Sequence, residues 1–135
     1  MARPGHDNRK AKGTGGLAIS RRVLVVDDKV DCRTSLAALV RALGHEVEMS
    51  HDGEHAVLVT EKFQPDTILL DIGLPKMNGW EVAQCLRAKY GPDLFLVAVT
   101  GYGSEGDRRK SRDSGFDRHF VTPLDPIELR SVLDR

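Results

Sequence analysis

Short apolar runs and amphipathic stretches alternate along most of this chain. Continuous apolar runs at 23–26 and 94–99, and the largely apolar stretch TILL at 67–70, predict strands that are buried on both faces, as in the interior of a parallel sheet. Charged residues interleaved with apolar ones at 47–49 indicate an edge strand, and residues 120–121 predict a short fifth strand. The pattern therefore predicts five strands.

Between the strands, apolar residues recur at the spacing of helices. The first helix has Asp31 near its start and ends before Gly44, and its inner face holds four apolar residues: Leu36, Leu39, Val40 and Leu43. Residues 53–62 and 80–90 predict the next two helices. The inner face of the second of these comprises Val82, Cys85 and Leu86. A cap at Asp125, followed by proline, predicts the start of a last helix.

One predicted helix, at 104–114, differs from the others because its sequence, SEGDRRKSRDS, contains no aliphatic residue. A helix without an apolar stripe gains little free energy from packing. We therefore expect this segment to be locally weak.

Strands that alternate with helices are typical of an α/β protein with a doubly wound parallel sheet. Residues 21–135 form this domain, whereas residues 1–20 are Gly-rich, polar and without periodicity, which predicts a flexible basic tail or linker. The chain has 135 residues with 20 Lys+Arg and 20 Asp+Glu, a balance that argues against a strongly basic nucleic-acid-binding protein. Apolar runs all fall short of the ~20 residues that a membrane span needs.

Polar residues follow three of the predicted strands. Asp27 and Asp28 follow the first strand, Asp71 follows the third, and Thr100 follows the fourth. Ligands of such sheets bind at the carboxyl ends of the strands. Three converging carboxylates repel one another unless a cation joins them, and ligands that are all oxygen favour Mg²⁺. A carboxylate beside this ion can attack a phosphoryl donor, and the Thr100 hydroxyl would hydrogen-bond a phosphoryl oxygen.

The chain from residue 21 to 135 resembles the receiver domain of two-component response regulators. Four stretches carry the resemblance in the family's order and spacing: VLVVDD (23–28), PDTILLDIGLPKMNGWE (65–81), VAVTGYG (97–103) and GFDRHFVTP (115–123). The resemblance implies a flavodoxin-like (βα)5 fold with strand order 2-1-3-4-5. It also implies a cytoplasmic signalling domain rather than an enzyme, which contacts neither nucleic acid nor membrane directly.

Three roles in signalling follow from the resemblance. It implies that Asp71 is the phospho-acceptor, Thr100 the switch hydroxyl, and His119 the switch side chain that turns inward on activation. The phosphoryl group would come from a histidine kinase or a histidine phosphotransfer protein, and its arrival would switch the binding of a downstream protein. We further hypothesise that residues 104–114 are mobile before activation.

The resemblance also implies a Mg²⁺ site. Asp28 would bind the ion directly and Asp27 would help through water. Asp71 and the backbone carbonyl of Gly73 would complete the site. Slow self-dephosphorylation is expected, with Gly73 and Tyr102 flanking the approach of water to Asp71.

One position departs from the family's pattern. Thr122 stands directly before Pro123, where the family has a lysine that contacts the acceptor and later the phosphoryl group. A neutral hydroxyl forms a weaker hydrogen bond than a cation, which would weaken the coupling between phosphorylation and switching. Lys29 is a candidate to replace this charge in part, with a solvated side chain as the alternative, and Lys76 is a weaker candidate.

A second function stays open from the sequence, namely a degenerate receiver that binds its partners independently of phosphorylation. Three other chemistries fit less well. The G-x-G-x-x-G at 101–106 matches a dinucleotide fingerprint, but too few residues follow it to complete that fold. His51 and His55 lack a third metal ligand. Asp71 lacks the second aspartate, two residues on, of haloacid-dehalogenase-like phosphatases.

Overall fold

Strand and helix alternate five times in residues 19–135, the part of the chain that the computed structural model describes. The strands are β1 (Arg22–Val26), β2 (Glu46–Ser50), β3 (Thr67–Leu70), β4 (Phe95–Thr100) and β5 (Arg118–Val121). The helices are α1 (Val30–Ala42), α2 (Gly53–Phe63), α3 (Gly79–Tyr90), α4 (Glu105–Ser114) and α5 (Pro126–Leu133), with a short 3-10 turn at Gly91–Asp93. The predicted tail, residues 1–20, lies outside the described residues except for Ile19 and Ser20.

The strands form one parallel sheet in the order β2-β1-β3-β4-β5. This order confirms the doubly wound α/β class and the strand order implied by the resemblance. The inner strands β1, β3 and β4 are almost fully buried, as their continuous apolar runs predict. The edge strand β2 exposes Glu48 and Met49, in keeping with its interleaved charges.

Two apolar cores lie on opposite faces of the sheet, because successive side chains of a strand point to opposite sides. One core joins the strands to α2 and α3, and its largest fully buried members are Leu24, Ile68, Leu70, Ile72, Leu86 and Leu96. The other joins the strands to α1 and α5, and includes Val23, Val25, Val40, Leu69, Leu129 and Leu133. The spacing of their own apolar residues thus places α1, α2, α3 and α5 against the sheet, whereas α4 contributes to neither core.

The sheet register brings the ends of three inner strands to one edge. Val26, the last residue of β1, pairs with Leu70, the last residue of β3. The ladder continues one step further, because the Asp71 amide donates to the Val26 carbonyl at 3.0 Å. The residues that directly follow β1 and β3 are therefore neighbours across the sheet edge.

Two sequence predictions need correction. Cys85 is exposed, and Ala83 occupies the buried position in α3 instead. The buried arc of α3 runs from Val82 through Leu86 to Ala83, so Cys85 lies beyond its edge. The last strand is also longer than predicted, because it begins at Arg118.

Within residues 19–135, each helix is too short or too polar to cross a bilayer.

Candidate functional site

Three carboxylates meet at the carboxyl edge of the sheet. Asp27, Asp28 and Asp71 each offer an oxygen, and these oxygens all lie within 4.8 Å of one another. Asp71 lies at the bottom of the cleft with 7% of its surface exposed, whereas Asp28 is exposed and Asp27 is half-buried. The convergence predicted from the strand ends is therefore present.

Backbone groups orient two of these carboxylates. The Gly73 amide donates to Asp71 Oδ1 at 3.1 Å, and the Lys29 amide donates to Asp27 Oδ1 at 2.9 Å. The Arg33 guanidinium donates to the Asp27 carbonyl at 2.8 Å, which ties the loop after β1 to the first turn of α1. Such short-range hydrogen bonds, donated by backbone amides to nearby carboxylates, hold each loop in one conformation.

The loop after Asp71 requires a glycine at its end. A Cβ on Gly79 would lie 2.5 Å from the Asp71 carbonyl oxygen and 2.6 Å from Ile72 Cα. The Gly79 amide also donates to the Ile72 carbonyl at 2.9 Å. This close approach brings the start of α3 directly against the backbone of Asp71, so the helix supports the loop that follows Asp71.

Burial and mutual repulsion shape the electrostatics of the cleft. Removal from water raises the pKa of Asp27, and the neighbouring Asp71 raises it further. The Lys29 ammonium lies 3.7 Å from Asp28 Oδ1 and 3.7 Å from Asp71 Oδ2. The charge of Asp71 raises the pKa of Lys29 in turn.

The donor set fits Mg²⁺. Three carboxylates without a histidine or cysteine match the ligands of a hard divalent ion, and their spacing allows them to share one. Asp27, Asp28 and Asp71 would hold the ion. Gly73 lies beside Asp71 through its amide, and a role for its carbonyl stays a prediction.

Thr100 ends the neighbouring strand and is 2% exposed. Its hydroxyl accepts a hydrogen bond from the Tyr102 amide at 3.2 Å. The Tyr102 ring packs beside Gly73, whose Cβ position would be 3.4 Å from the tyrosine hydroxyl. The two residues expected to flank the approach of water to Asp71 therefore lie next to each other.

Thr122 brings no charge to the cleft. Its amide donates to the Thr100 carbonyl at 2.9 Å, which continues the β4–β5 ladder. Within residues 19–135 its hydroxyl forms no hydrogen bond.

His119 is held by hydrogen bonds on both ring nitrogens. Nδ1 lies 2.7 Å from Ser111 Oγ, and Nε2 lies 2.7 Å from the Tyr102 carbonyl. The Trp80 indole donates to the same Ser111 oxygen at 3.0 Å. The carbonyl can only accept, so Nε2 donates its proton, and in the neutral ring Nδ1 then accepts from the serine hydroxyl. Ser111 and Trp80 were missed by sequence reasoning, which had no signal for this contact.

Comparison of the sequence with models of known protein families shows to which family this chain belongs. Residues 23–134 match the model of the response regulator receiver domain. The chain belongs to the response regulator receiver domain family.

Solved receiver domains show the same architecture. The chemotaxis protein CheY4 of Vibrio cholerae is 27% identical with a TM-score of 0.79, over 84% of this chain and 96% of that chain. The receiver domain of a sensor histidine kinase from Pseudomonas aeruginosa is 30% identical with a TM-score of 0.78, over 86% of this chain and 96% of that chain. The latter structure has a magnesium ion coordinated in its active-site cleft.

Curated relatives include longer proteins. The response regulator MprA of Mycobacterium bovis is 35% identical over 111 residues, which are 82% of this chain and 48% of MprA. The chain spans about half the length of the first curated relatives it matches, 48–49%.

The glycine motif at 101–106 and the pair of histidines, which suggested other functions in the sequence, have structural explanations in this receiver. The glycine at position 103 sits against β5, because a Cβ there would lie 2.6 Å from a Val121 methyl group. His51 and His55 stack with ring centroids 4.6 Å apart, and His55 Nδ1 lies 2.9 Å from Ser50 Oγ. Among residues 19–135, the acidic trio is the group whose ligand atoms converge enough to hold a metal, and neither histidine belongs to it.

Proposed function

We propose that this receiver accepts a phosphoryl group on Asp71 and thereby changes its binding of a downstream protein. The supporting observation is that Asp71 is the most buried of three carboxylates whose oxygens lie within 4.8 Å. It sits at the bottom of the cleft, with two other acids above it to share a cation. The donor is a histidine kinase or a histidine phosphotransfer protein, and the setting is the cytoplasm.

The chemistry is a single displacement at phosphorus. A carboxylate oxygen of Asp71 forms a bond to phosphorus, while the bond from phosphorus to the donor's imidazole nitrogen breaks. The electron pair of the broken bond leaves with the donor, and Asp71 becomes an acyl phosphate. Bound Mg²⁺ supplies positive charge that stabilises the transferring group.

The chain's own residues provide orientation and readout. The Gly73 amide holds one oxygen of Asp71, which leaves the other oxygen, Oδ2, turned toward Lys29. The Thr100 hydroxyl, at the end of the adjacent strand, turns to donate a hydrogen bond to the phosphoryl group. Thr100 and His119 both contact Tyr102, so movement at Thr100 reaches His119 through the loop after β4. Water then removes the phosphoryl group slowly, past Gly73 and Tyr102.

The test is phosphorylation by a small donor. The purified chain is incubated with Mg²⁺ and acetyl phosphate, and its intact mass is measured. We expect a gain of ~80 Da from transfer of one phosphoryl group, and no gain in Asp71→Asn. EDTA should abolish the gain as well.

A control receiver that is labelled in parallel verifies the donor. If the wild type stays unmodified beside a labelled control, the chain is a degenerate receiver whose binding is independent of phosphorylation. A mass gain that persists in Asp71→Asn would contradict the assignment of the acceptor.

A further inference from the structure

We propose that Lys29 is a phosphoryl-contacting residue, whose ammonium group neutralises the phosphoryl group carried by Asp71. This inference rests on the proposed function. It assigns to the loop after β1 a positive charge that Thr122, at the end of β5, does not supply.

The position of Lys29 follows from its backbone. Its amide donates to Asp27 Oδ1 at 2.9 Å, and its carbonyl accepts from the Arg33 amide at 2.9 Å in the first turn of α1. Lys29 is the N-cap residue of that helix, in extended conformation. Both of its peptide groups are therefore fixed, and the side chain begins from a defined point beside the acidic cleft.

The side chain then spans the cleft. Its ammonium nitrogen is 3.7 Å from an oxygen of Asp28 and 3.7 Å from Oδ2 of Asp71. Within residues 19–135, no other cationic side chain forms an ion pair with any of the three carboxylates. Lys76 lies in the loop after Asp71, and its charge helps to lower the pKa of a different carboxyl group, that of Asp52.

The charge balance gives this contact a function. Transfer of a phosphoryl group replaces one carboxylate charge on Asp71 with about two charges on phosphate oxygens. Asp27 and Asp28 remain beside it, so the modified site carries more negative charge than the free one. A cation already in place stabilises this product and the transition state that leads to it, without reorganisation during the reaction.

The contact between Lys29 and a phosphoryl group on Asp71 would lie at the mouth of the cleft, because Lys29 is exposed and Asp71 is buried. Asp71 is 7% exposed, whereas the side chain of Lys29 is 63% exposed. A group added to Asp71 extends from the bottom of the cleft toward solvent, and the ammonium group lies on that path. The flexible lysine stem lets the ammonium move from Asp71 Oδ2 to the phosphoryl oxygens.

The test compares four variants with the wild type at saturating Mg²⁺. Lys29→Met removes the charge while keeping the length of the side chain, and Lys29→Arg keeps the charge. Lys76→Met is the matched control, since it removes a lysine from the neighbouring loop. The double variant Lys29→Met/Thr122→Lys returns a cation from the opposite side of the cleft.

Two quantities are measured for each protein. The first is the rate of the mass gain with acetyl phosphate. The second is the affinity for beryllofluoride, a phosphoryl analogue whose binding requires no transfer step. We expect Lys29→Met to lower both by about 10-fold, the loss of one charge-assisted hydrogen bond. Lys29→Arg and the double variant should recover most of the loss, and Lys76→Met should match the wild type.

A calorimetric titration with Mg²⁺ distinguishes contact with the phosphoryl group from mere competition between the Lys29 ammonium and Mg²⁺ for the same carboxylates. Lys29→Met should bind Mg²⁺ more tightly, because the ammonium group occupies the same two carboxylates. If Lys29→Met binds beryllofluoride and reacts as well as the wild type at saturating Mg²⁺, the proposal is wrong. A wild type that is never labelled, beside a labelled control receiver, would instead overturn the proposed function.

Discussion

The neighbouring helices α3 and α4 are held to the rest of the domain by different kinds of interaction, apolar burial for α3 and polar contacts for α4. Both begin with a capping box, formed by Asn78 with Glu81 in α3 and by Ser104 with Asp107 in α4. Beyond the caps they diverge. The buried side chains of α3 beyond its first residue are Val82, Ala83 and Leu86, whereas α4 buries only Ser111 and Ser114.

Polar contacts replace the missing apolar face of α4. Ser111 is fully buried between the Trp80 indole and the His119 ring, and the Lys110 ammonium lies 4.3 Å from the Trp80 ring centroid. Directly after the C-terminal end of α4, Arg87 of α3 donates to the Gly115 carbonyl at 2.6 and 3.1 Å.

The polar attachment makes α4 better suited to a conformational switch than α3. Apolar burial is non-directional and contributes large amounts of free energy. A hydrogen bond contributes less net free energy, but it requires one geometry and is lost when its partner turns. The helix that contacts His119, the proposed switch side chain, is therefore the one whose release costs less free energy.

The largest effect is expected from removing an apolar anchor of α3. Leu86→Ala should lower the free energy of unfolding by about 2–5 kcal/mol, because it leaves a cavity in the core. Urea denaturation measures this loss. The matched control on α4 is Ser114→Ala, a buried serine whose hydroxyl has no hydrogen-bond partner within residues 19–135. A loss as large in Ser114→Ala would contradict the contrast between the two helices.

A smaller effect is expected from breaking the polar anchor of α4. Ser111→Ala leaves the Trp80 indole and His119 Nδ1 without their partner, which should cost about 1–3 kcal/mol. Hydrogen exchange should locate the loss in residues 105–114, with the amides of α3 unchanged. Equal stability of Ser111→Ala and Ser114→Ala would show that the hydrogen-bond network does not hold the helix.

The same contrast explains how much the sequence revealed. The alternation of strands and helices and the acidic trio follow from apolar runs and from the residues at strand ends, which are local features of the chain. The strand order came from the resemblance to receiver domains and not from these patterns. The prediction for Cys85 was wrong because Val82 and Leu86 can share a helix face either with Cys85 or with Ala83. Packing against the sheet buries the face with Ala83. The anchor of α4 joins Trp80 to Ser111, which are 31 positions apart, and periodicity carries no signal for such a pair.

Lys29 falls between these cases. Its place next to two aspartates was visible in the sequence and suggested a replacement for the missing charge. Its reach to Asp71 depends on the register of β1 and β3 together with the extended conformation of its own backbone. The contact between Lys29 and Asp71 therefore follows from the fold and not from the local sequence.

We expect a phosphoryl group on Asp71 to change the packing of α4. Hydrogen exchange on the wild type, with and without beryllofluoride and Mg²⁺, measures this change. We predict that the amides of residues 105–114 exchange faster than those of β4 in the free protein, and that beryllofluoride changes their rates while leaving those of α3 unaltered. Amides of α4 that are as protected as those of β4 and insensitive to beryllofluoride would contradict the account.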